Sequence, residues 1–297
     1  MTDLVCYIPS YNDSDLVRES LASSPDWDVV ISDNASDEPH RSALAALAGE
    51  RVQVVSHKAS LGRVGNWNAC VEHFVSGGAR WMKFLMAGDL HKPDSCAIFR
   101  RAIQRQPTVR HIVPRIENVW PHGRKLWFVT EKEGLISPLN AMAGVAIEGN
   151  IFHGLSAPLF HVDALKKGFT FGEDTLNFCA DLMFSMTIAV HTPTLYVTEV
   201  TAEFIAARRK SMQRGVYTLE HFLEEGLLRL RAADAVETLA GDRPRRNQLL
   251  AGIRSWLQMG LNHSLEKLAG DVLFPFETLE VDKPTPASDE TSQVNVE

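Results

Sequence analysis

The chain has 297 residues, of which 45% are hydrophobic and 23% are charged, as is ordinary for a globular protein with a substantial core. Its formal net charge is -7, and residues 277–297 carry most of it, with six acidic residues and one Lys. The rest of the chain is therefore only slightly acidic, which excludes a general nucleic-acid binder, since such a protein carries a strongly basic face.

Apolar runs of strand length alternate with helical patterns through the first hundred residues. The predicted strands are 4–8, 27–31, 52–55 and 81–85. Three helices are predicted between them: the first is capped by Asp13 or Ser14, the second covers 39–48, and a loop and the third helix cover 62–75. Pro9 should end the first strand because it cannot donate a ladder hydrogen bond. This alternation favours a mostly parallel sheet with right-handed crossovers.

The cysteines and the apolar segments limit the cellular setting. The four cysteines lie far apart in apolar surroundings, at Cys6, Cys70, Cys96 and Cys179. Without a C-x-x-C pair, neither a zinc site nor a redox motif is indicated, and we expect buried, reduced thiols in a cytosolic protein. No signal peptide is predicted, and no apolar run reaches the ~18 residues of a membrane span.

Polar or small residues follow these strands, and loops after parallel strands meet along one edge of the sheet, where sites form. Tyr11 offers an aromatic face to a nucleobase, and Asp33 could accept a hydrogen bond from a ring N–H. Gly62 permits close backbone approach, and the guanidinium of Arg63 could bind phosphate oxygens. Asp89 follows the fourth strand, where a carboxylate could meet a ligand. Packing, turn and capping roles are the alternatives.

Four segments, residues 8–12, 31–37, 61–68 and 81–94, carry a family resemblance. In this order they resemble the nucleotide-sugar-binding half of family 2 glycosyltransferases, which have the GT-A fold. The family pattern is P-x-Y-N, V-D-N-x-S-x-D, N-x-G-x-x-x-N and D-x-D-D. The first three motifs are nearly intact and the fourth is eroded. The resemblance is strong over about residues 4 to 100 and loose over 150 to 212.

The resemblance implies a donor site for a nucleoside-diphosphate sugar on these loops. In the family, the Tyr of P-x-Y-N and the first Asp of V-D-N lie against the base, and Asn66 could cap its helix or touch the nucleotide. Uridine is the default base through the resemblance alone. The implied donor residues here are Pro9, Tyr11, Asn12, Asp33, Gly62, Arg63, Asn66, Ala87, Gly88 and Asp89.

The fourth segment departs from the family pattern, with Met86 and Gly88 at the two D-x-D positions and Asp89 at the aspartate that often follows. The second D-x-D carboxylate commonly holds Mg²⁺ or Mn²⁺ against the leaving diphosphate, and glycine cannot do so. Three explanations stay open: a displaced metal site at Asp89 and His91, fixed cations instead of a metal, or lost catalysis. A plain loop histidine is the alternative for His91. The candidate cations are Arg63, Arg208, Arg209 and Lys210.

The second half of the chain is the acceptor side by resemblance. Predicted strands cover 111–120, 125–130 and 194–206, predicted helices cover 94–106, 137–145 and 176–190, and a loop covers 149–158. His153 in that loop is a candidate acceptor contact or a structural histidine. Asp181 is the implied general base that would take the proton of the acceptor hydroxyl, with a surface helix aspartate as the alternative. Asp174 is the reserve candidate for the base, or a helix cap.

Residues 207–212 resemble the closing loop of the family. That loop often carries a histidine, and in this chain a cationic cluster stands in its place. Arg208 and Arg209 could there meet the donor diphosphate and exclude water, or could form an exposed charge run.

Two long amphipathic helices follow at 218–239 and 244–268. They could dock on the catalytic domain, form a homodimer, or lie on a membrane surface through Arg243, Arg245 and Arg246. The tail is predicted to be disordered.

Together these patterns predict an α/β fold with a mostly parallel, mixed sheet flanked by helices. A GT-A-like domain covers 1–212, with a nucleotide-sugar half (1–106) and an acceptor half (107–212). A helical appendage covers 213–274, and the acidic tail covers 275–297.

The expected function is inverting transfer from a nucleoside-diphosphate sugar, by default a UDP-sugar, to a hydroxyl of a glycan, lipid-linked or protein acceptor. Such chemistry serves glycan, lipopolysaccharide or glycoprotein synthesis in the cytoplasm or at the inner face of the cell membrane. The alternative is a catalytically silent nucleotide-sugar-binding module that partners another transferase. Nucleotidyl transfer is disfavoured because no G-x-G-x-R loop follows the first strand.

Overall fold

The computed structural model describes residues 3–127, 132–168, 170–172, 176, 178–206 and 219–268, with side chains as far as residue 262. Within these ranges, ten strands form one sheet: β1 Leu4–Ser10, β2 Asp28–Asp33, β3 Val52–Ser56, β4 Trp81–Phe84, β5 Leu90–His91, β6 His111–Trp120, β7 Gly123–Trp127, β8 Gly134–Ile136, β9 Leu159–His161 and β10 Thr194–Ile205. The helices are α1 Ser14–Ala22, α2 His40–Ala45, α3 Gly62–Ser76, α4 Ser95–Arg105, α5 Pro138–Glu148, α6 Val162–Leu165, α7 Ala180–Ala189, α8 Leu219–Ala240 and α9 Arg243–Leu268.

The sheet changes character at β9. Its order is β3-β2-β1-β4-β9-β6-β10-β5, with β7 added to β6 and β8 added to β10. Strands β3, β2, β1 and β4 are parallel, whereas β9 runs antiparallel to both β4 and β6. The predicted α/β class with a mixed sheet is confirmed. Beyond β9, strand β10 also runs parallel to β6, and the sequence motifs lie on the four parallel strands β1 to β4.

Helices cover both faces of the sheet. One core cluster joins the strands to α1, α2 and α4, and the other joins them to α3, α5, α6, α7 and α8. Cys6 and Ile8 of β1 face the first cluster and Tyr7 faces the second, because successive side chains of a strand alternate. Burial on both faces explains why the central strands are continuous apolar runs.

Strand β1 extends beyond Pro9, contrary to the prediction that Pro9 ends it. The carbonyl of Tyr7 accepts from Leu85 on the β4 side, and the carbonyl of Ser10 accepts from Asn34 on the β2 side. The backbone of Pro9 therefore points to the β4 side, where pairing with β4 has already ended at Tyr7. The missing N–H costs no ladder bond there, so β1 continues to Ser10.

The two C-terminal helices dock on the domain that contains the sheet. Helix α8 packs against α5, and Leu228, Ala232, Ala233 and Val236 are buried in the same core cluster as the sheet. Helix α9 packs on α8 and adds Ile253 to that cluster. Over the described ranges, no helix has the length and apolar character needed to cross a bilayer.

Some local predictions needed correction. The short strands β5 and β8 were not predicted, and α7 begins at Ala180 rather than at residue 176. All four cysteines are free and buried, as expected. Residues 128–131 and the acidic tail, 275–297, lie outside the described residues.

Candidate functional site

The ends of β1 and β2 bring two buried polar atoms together. Ser10 and Asp33 are partners in the parallel register, and both side chains are buried. The Ser10 hydroxyl and Asp33 Oδ2 have no hydrogen-bond partner among the described residues, while Asp33 Oδ1 accepts from the N–H of Ser36 at 3.0 Å. Buried polar atoms are rarely left unsatisfied, so these two indicate a ligand position. Tyr11, which follows Ser10, is 50% exposed beside them.

Ser10 was not among the predicted site residues. A serine between Pro and Tyr carries no signal of its own in the sequence, and only its burial without a partner reveals it.

Asn12 braces the loop that follows Tyr11. Its backbone has φ +57°, and its N–H donates to the Ser36 hydroxyl at 2.9 Å. Its side-chain amide donates to Asp37 at 3.0 Å and accepts from the Asp37 N–H at 2.8 Å. Because both ends of the amide are engaged, Asn12 holds two strand-end loops together, and its predicted donor contact is not supported.

The β2 loop is tied to the start of α3 by a residue that sequence reasoning did not single out. Asn34 accepts from the N–H of Leu61 at 2.7 Å and donates to the carbonyl of Gly62 at 3.2 Å. Gly62 has φ +71°, a conformation that favours glycine. Arg63 is exposed next to it, with its guanidinium 5.2 Å from the ring centre of Trp67. The loop thus presents a cation at the edge of the sheet.

Asn66 is a structural residue. It is buried, its side-chain oxygen accepts from the Ser32 hydroxyl at 2.6 Å, and its amide donates to the Ser32 carbonyl at 3.2 Å. Its position behind the end of β2 does not support the predicted direct contact with the nucleotide. It instead fixes the residue before Asp33.

The turn after β4 is locked by side chains from other elements. Gly88 has φ +90°, and the Ser20 hydroxyl accepts from its N–H at 2.9 Å and donates to the Asp89 carbonyl at 2.8 Å. Asp89 is buried: its Oδ2 accepts from the Ser156 hydroxyl at 2.6 Å and its Oδ1 from the N–H of Ile205 at 3.2 Å. Asp89 therefore joins three segments, the turn that contains Ala87, the 149–158 loop and the end of β10.

The predicted metal pair does not fit a divalent cation. Both carboxylate oxygens of Asp89 are engaged by protein donors, as described above. His91 Nδ1 instead bonds the Ser24 hydroxyl at 2.9 Å, and its ring stacks on Trp27 with centroids 5.0 Å apart. Burial lowers the pKa of His91 well below its usual value. Among the described residues, no group of three or more His, Cys, Asp or Glu side chains could hold a metal ion.

A buried lysine lies beneath this turn. Lys83 in β4 is fully buried, and its ammonium donates to the carbonyls of Ser156 and Ala157, the latter at 3.1 Å. Burial lowers its pKa to about 8, against an opposing effect of the Asp89 charge. The sequence signal was available, because Lys83 is the one charge in the apolar run 81–87. It places a fixed cation behind the carboxylate.

Asp181 stands at the start of α7, half-exposed, with Oδ1 accepting from the N–H of Leu182 at 2.8 Å. A Cβ added to Gly154 would lie 3.9 Å from Asp181 Oδ2. The predicted base therefore faces the 149–158 loop.

His153 in that loop has φ +63° and is buried, and its ring meets the Trp127 ring edge-on, with centroids 5.2 Å apart. Burial lowers the pKa of His153 to about 3, so the ring is neutral, and its Nδ1 has no hydrogen-bond partner in the described structure.

Asn118 adds a second unsatisfied group on this side. Its side-chain oxygen is buried without a partner among the described residues. On β6 it follows Ile116 by two residues, and Ile116 is the register partner of Trp127. Asn118 and Trp127 therefore share one face of the sheet. Two unpaired acceptor groups and an indole form a second candidate surface.

Four residues predicted for the site or as candidate cations fall outside the described residues: Asp174, Arg208, Arg209 and Lys210. Strand β10 ends at Ile205, whose N–H bonds Asp89, so the chain leaves the described structure beside this turn.

Comparison with known proteins agrees with this geometry. Residues 6–153, about half of the chain, match the family described as Glycosyl transferase family 2. No protein of curated function matches the sequence. Among solved structures, S. aureus TarS 1-349 in complex with UDP-GlcNAc aligns with a TM-score of 0.63 and 14% identity, covering 84% of this chain and 71% of that one. The same protein in complex with UDP gives a TM-score of 0.60 and 15% identity, covering 84% of this chain and 70% of that one. A longer TarS structure aligns with a TM-score of 0.59 and 15% identity over 84% of this chain, which spans 42% of that one.

Proposed function

The chain belongs to glycosyl transferase family 2 through residues 6–153, and from this we propose that it transfers a sugar from a nucleoside-diphosphate donor to a hydroxyl acceptor with inversion. The observation that carries the proposal is the pair of buried, unpartnered atoms Ser10 Oγ and Asp33 Oδ2 beside the exposed ring of Tyr11. They lie where parallel strands end, the usual ligand position in an α/β sheet.

The donor base we propose is uracil. Its imide presents one N–H between two carbonyls, so Asp33 Oδ2 would accept the N–H and the Ser10 hydroxyl would donate to a carbonyl, while Tyr11 stacks on the ring. Cytosine has no proton on the corresponding ring nitrogen and fits a carboxylate less well. The complexes of S. aureus TarS with UDP-GlcNAc and UDP support the same choice.

The diphosphate would be neutralised by fixed cations. Gly62 allows close approach to the start of α3, and Arg63 stands exposed there. Arg208 and Arg209 follow β10, whose last residue bonds Asp89. We favour this arrangement over a metal because Asp89 and His91 do not fit one. Preorganised positive charge stabilises a leaving diphosphate as its charge develops.

The chemical step assigns the base role to Asp181. The acceptor hydroxyl would give its proton to the carboxylate as its oxygen bonds to the anomeric carbon and the carbon–oxygen bond to the diphosphate breaks. The bonding electrons leave with the diphosphate, and attack from the opposite face inverts the centre. His153 and Asn118 would accept hydrogen bonds from acceptor hydroxyls beside Trp127, which fits a glycan acceptor.

The test is a thermal-shift series of the full chain with UDP, GDP, dTDP and CDP, followed by turnover of the matching nucleotide sugars. Ligand at ~100 times its dissociation constant adds about 2.7 kcal/mol, a shift of a few degrees for a chain of this size. We expect UDP to give the largest shift. If no nucleotide shifts the melting temperature, the donor site is refuted.

A second candidate function is the silent nucleotide-sugar-binding module, which is favoured by one observation. The resemblance places Gly88 at a family aspartate position, and both oxygens of Asp89 are engaged by Ser156 and Ile205. If wild type and Asp181→Asn both bind a nucleotide and neither turns it over with any acceptor of a panel, the module is established and the transferase is overturned.

A further inference from the structure

The helix that carries Asp181 is capped from another helix. Cys179 precedes α7, and its own side chain makes no capping hydrogen bond. Glu224 of α8 instead binds the backbone just before the helix: its Oε2 accepts from the N–H of Phe178 at 2.8 Å and from the N–H of Cys179 at 2.9 Å. Glu224 is only 9% exposed. A carboxylate bonded to main-chain N–H groups at a helix start both satisfies donors and favours the helix dipole.

Helix α8 also holds the end of α5, which leads into the 149–158 loop that faces Asp181. Arg229 of α8 donates to the carbonyls of Ala146, at 3.4 Å, and Ile147 in the last turn of α5. Glu225 pairs with Arg229 through Nη2 at 2.7 Å and Nε at 3.0 Å, and both side chains are buried. These bonds satisfy carbonyls that a helix end leaves open.

Gly149 then starts the 149–158 loop directly against this pair. It has φ +82°, and an added Cβ would collide with the Glu225 carboxylate and lie 2.6 Å from Arg229 Nη2. Gly154 of the same loop faces Asp181, as described above. The loop and α7 therefore both take their positions from α8.

The charges at this junction are close together. Burial raises the pKa of the Cys179 thiol, and the charges of Asp181, Glu225 and Glu224 raise it further, in that order. Asp181 thus lies within electrostatic reach of the thiol that precedes α7, on the side where α8 docks.

We infer that α8 belongs to the acceptor half of the site, with Glu224 acting as the positioning residue of Asp181 and the Glu225–Arg229 pair fixing the loop that faces it. The inference rests on the proposed function, in which Asp181 is the base. It gives the appended helix a catalytic purpose beyond docking, and nothing in the family motifs of residues 8–94 carries it.

The experiment compares Glu224→Ala with Glu237→Ala in the full chain. Glu237 lies on the same helix but pairs with Arg246 of α9 at 3.2 Å, so its loss perturbs α8 without touching α7. For Glu224→Ala we expect kcat to fall at least tenfold, with the donor KM and the UDP dissociation constant within twofold of wild type. Glu237→Ala should keep kcat within twofold. Glu224→Gln keeps an acceptor oxygen and should recover most of the lost rate.

A second measurement is independent of turnover. Alkylation of Cys179, followed by peptide mass spectrometry, should be at least tenfold faster in Glu224→Ala than in Glu237→Ala, because α7 loses its cap next to that thiol. An unchanged alkylation rate, an unchanged kcat, or a parallel loss of kcat and donor affinity would each overturn the inference.

The two proposals fail in different ways. If wild type turns over no donor while alkylation responds as expected, the proposed function fails and the capping role of Glu224 stands. If Asp181→Asn retains the wild-type rate, the assignment of the base falls, and the positioning role falls with it.

Discussion

The proposed donor and acceptor halves of the site are built in different ways. In the donor half, Ser10 and Asp33 end neighbouring parallel strands, and Asn12 and Asn34 tie their loops to residues at most 28 positions away. In the acceptor half, Arg229 bonds the carbonyl of Ile147 across 82 positions, and Glu224 caps α7 across 45. The donor half is a local property of one sheet edge, whereas the acceptor half depends on elements that arrive late in the chain.

Asp181→Asn tests the acceptor half most directly and should have the largest effect. Removing a general base costs about 10² to 10⁴ in rate, so kcat should fall by that factor while the donor half stays intact. Steady-state kinetics with a UDP-sugar and calorimetric titration of UDP check both parts. A kcat within tenfold of wild type, or a parallel loss of UDP affinity, would contradict the division into two halves.

Asp33→Asn tests the donor half and should have the next largest effect. It removes the free acceptor oxygen, and a hydrogen bond to a charged group is worth about 1.5 to 3 kcal/mol, so UDP affinity should fall by about 10- to 100-fold. Asp37→Asn is the control, because Asp37 lies in the same loop and its side chain bonds Asn12 rather than facing the proposed base position. Equal losses of UDP affinity in both variants would assign the effect to the loop rather than to the contact of Asp33 with the nucleobase.

Acid should destabilise the fold through His153, on the proposed acceptor side. Burial lowers the pKa of His153 to about 3, so the folded state excludes a proton that the unfolded chain binds below about pH 6.5. Above that pH neither state binds the proton, and His153 leaves the free energy of unfolding unchanged. As the pH falls, the unfolded chain gains the proton and the free energy of unfolding drops, by about 2 kcal/mol between pH 7 and pH 5. Urea unfolding of wild type and His153→Asn at both pH values measures it. Identical pH dependence of the two proteins would show that His153 is not held neutral.

Chelation should have the smallest effect. Both oxygens of Asp89 are engaged by Ser156 and Ile205. The dissociation constant of UDP measured in EDTA should therefore lie within about twofold of the value measured in Mn²⁺. Calorimetric titration of UDP in the two buffers checks this. Binding that requires Mn²⁺ would mean that Asp89 exchanges its protein partners for a metal, and would remove the case for fixed cations.

The sequence predicted the strands of the proposed donor half well because their signals are local. Strand periodicity and the turn residues after each strand located β1 to β4, and the ends of those strands correctly indicated Tyr11 and Asp33 as neighbours. Ser10 escaped notice because its type is uninformative there. Asn12 and Asn66 fitted the family pattern, but their amides are engaged by Asp37 and Ser32.

By itself, the sequence determined the α/β class, the positions of the first four strands along the chain and the edge where their loops meet. It could do so because apolar periodicity and turn chemistry act over a few residues. Only the tertiary structure decided that Asp89 is held by Ser156 and Ile205, that His91 turns to Trp27, and that α8 caps the helix of Asp181. Those contacts join segments far apart in the chain, and they form because burying one common core brings the segments together.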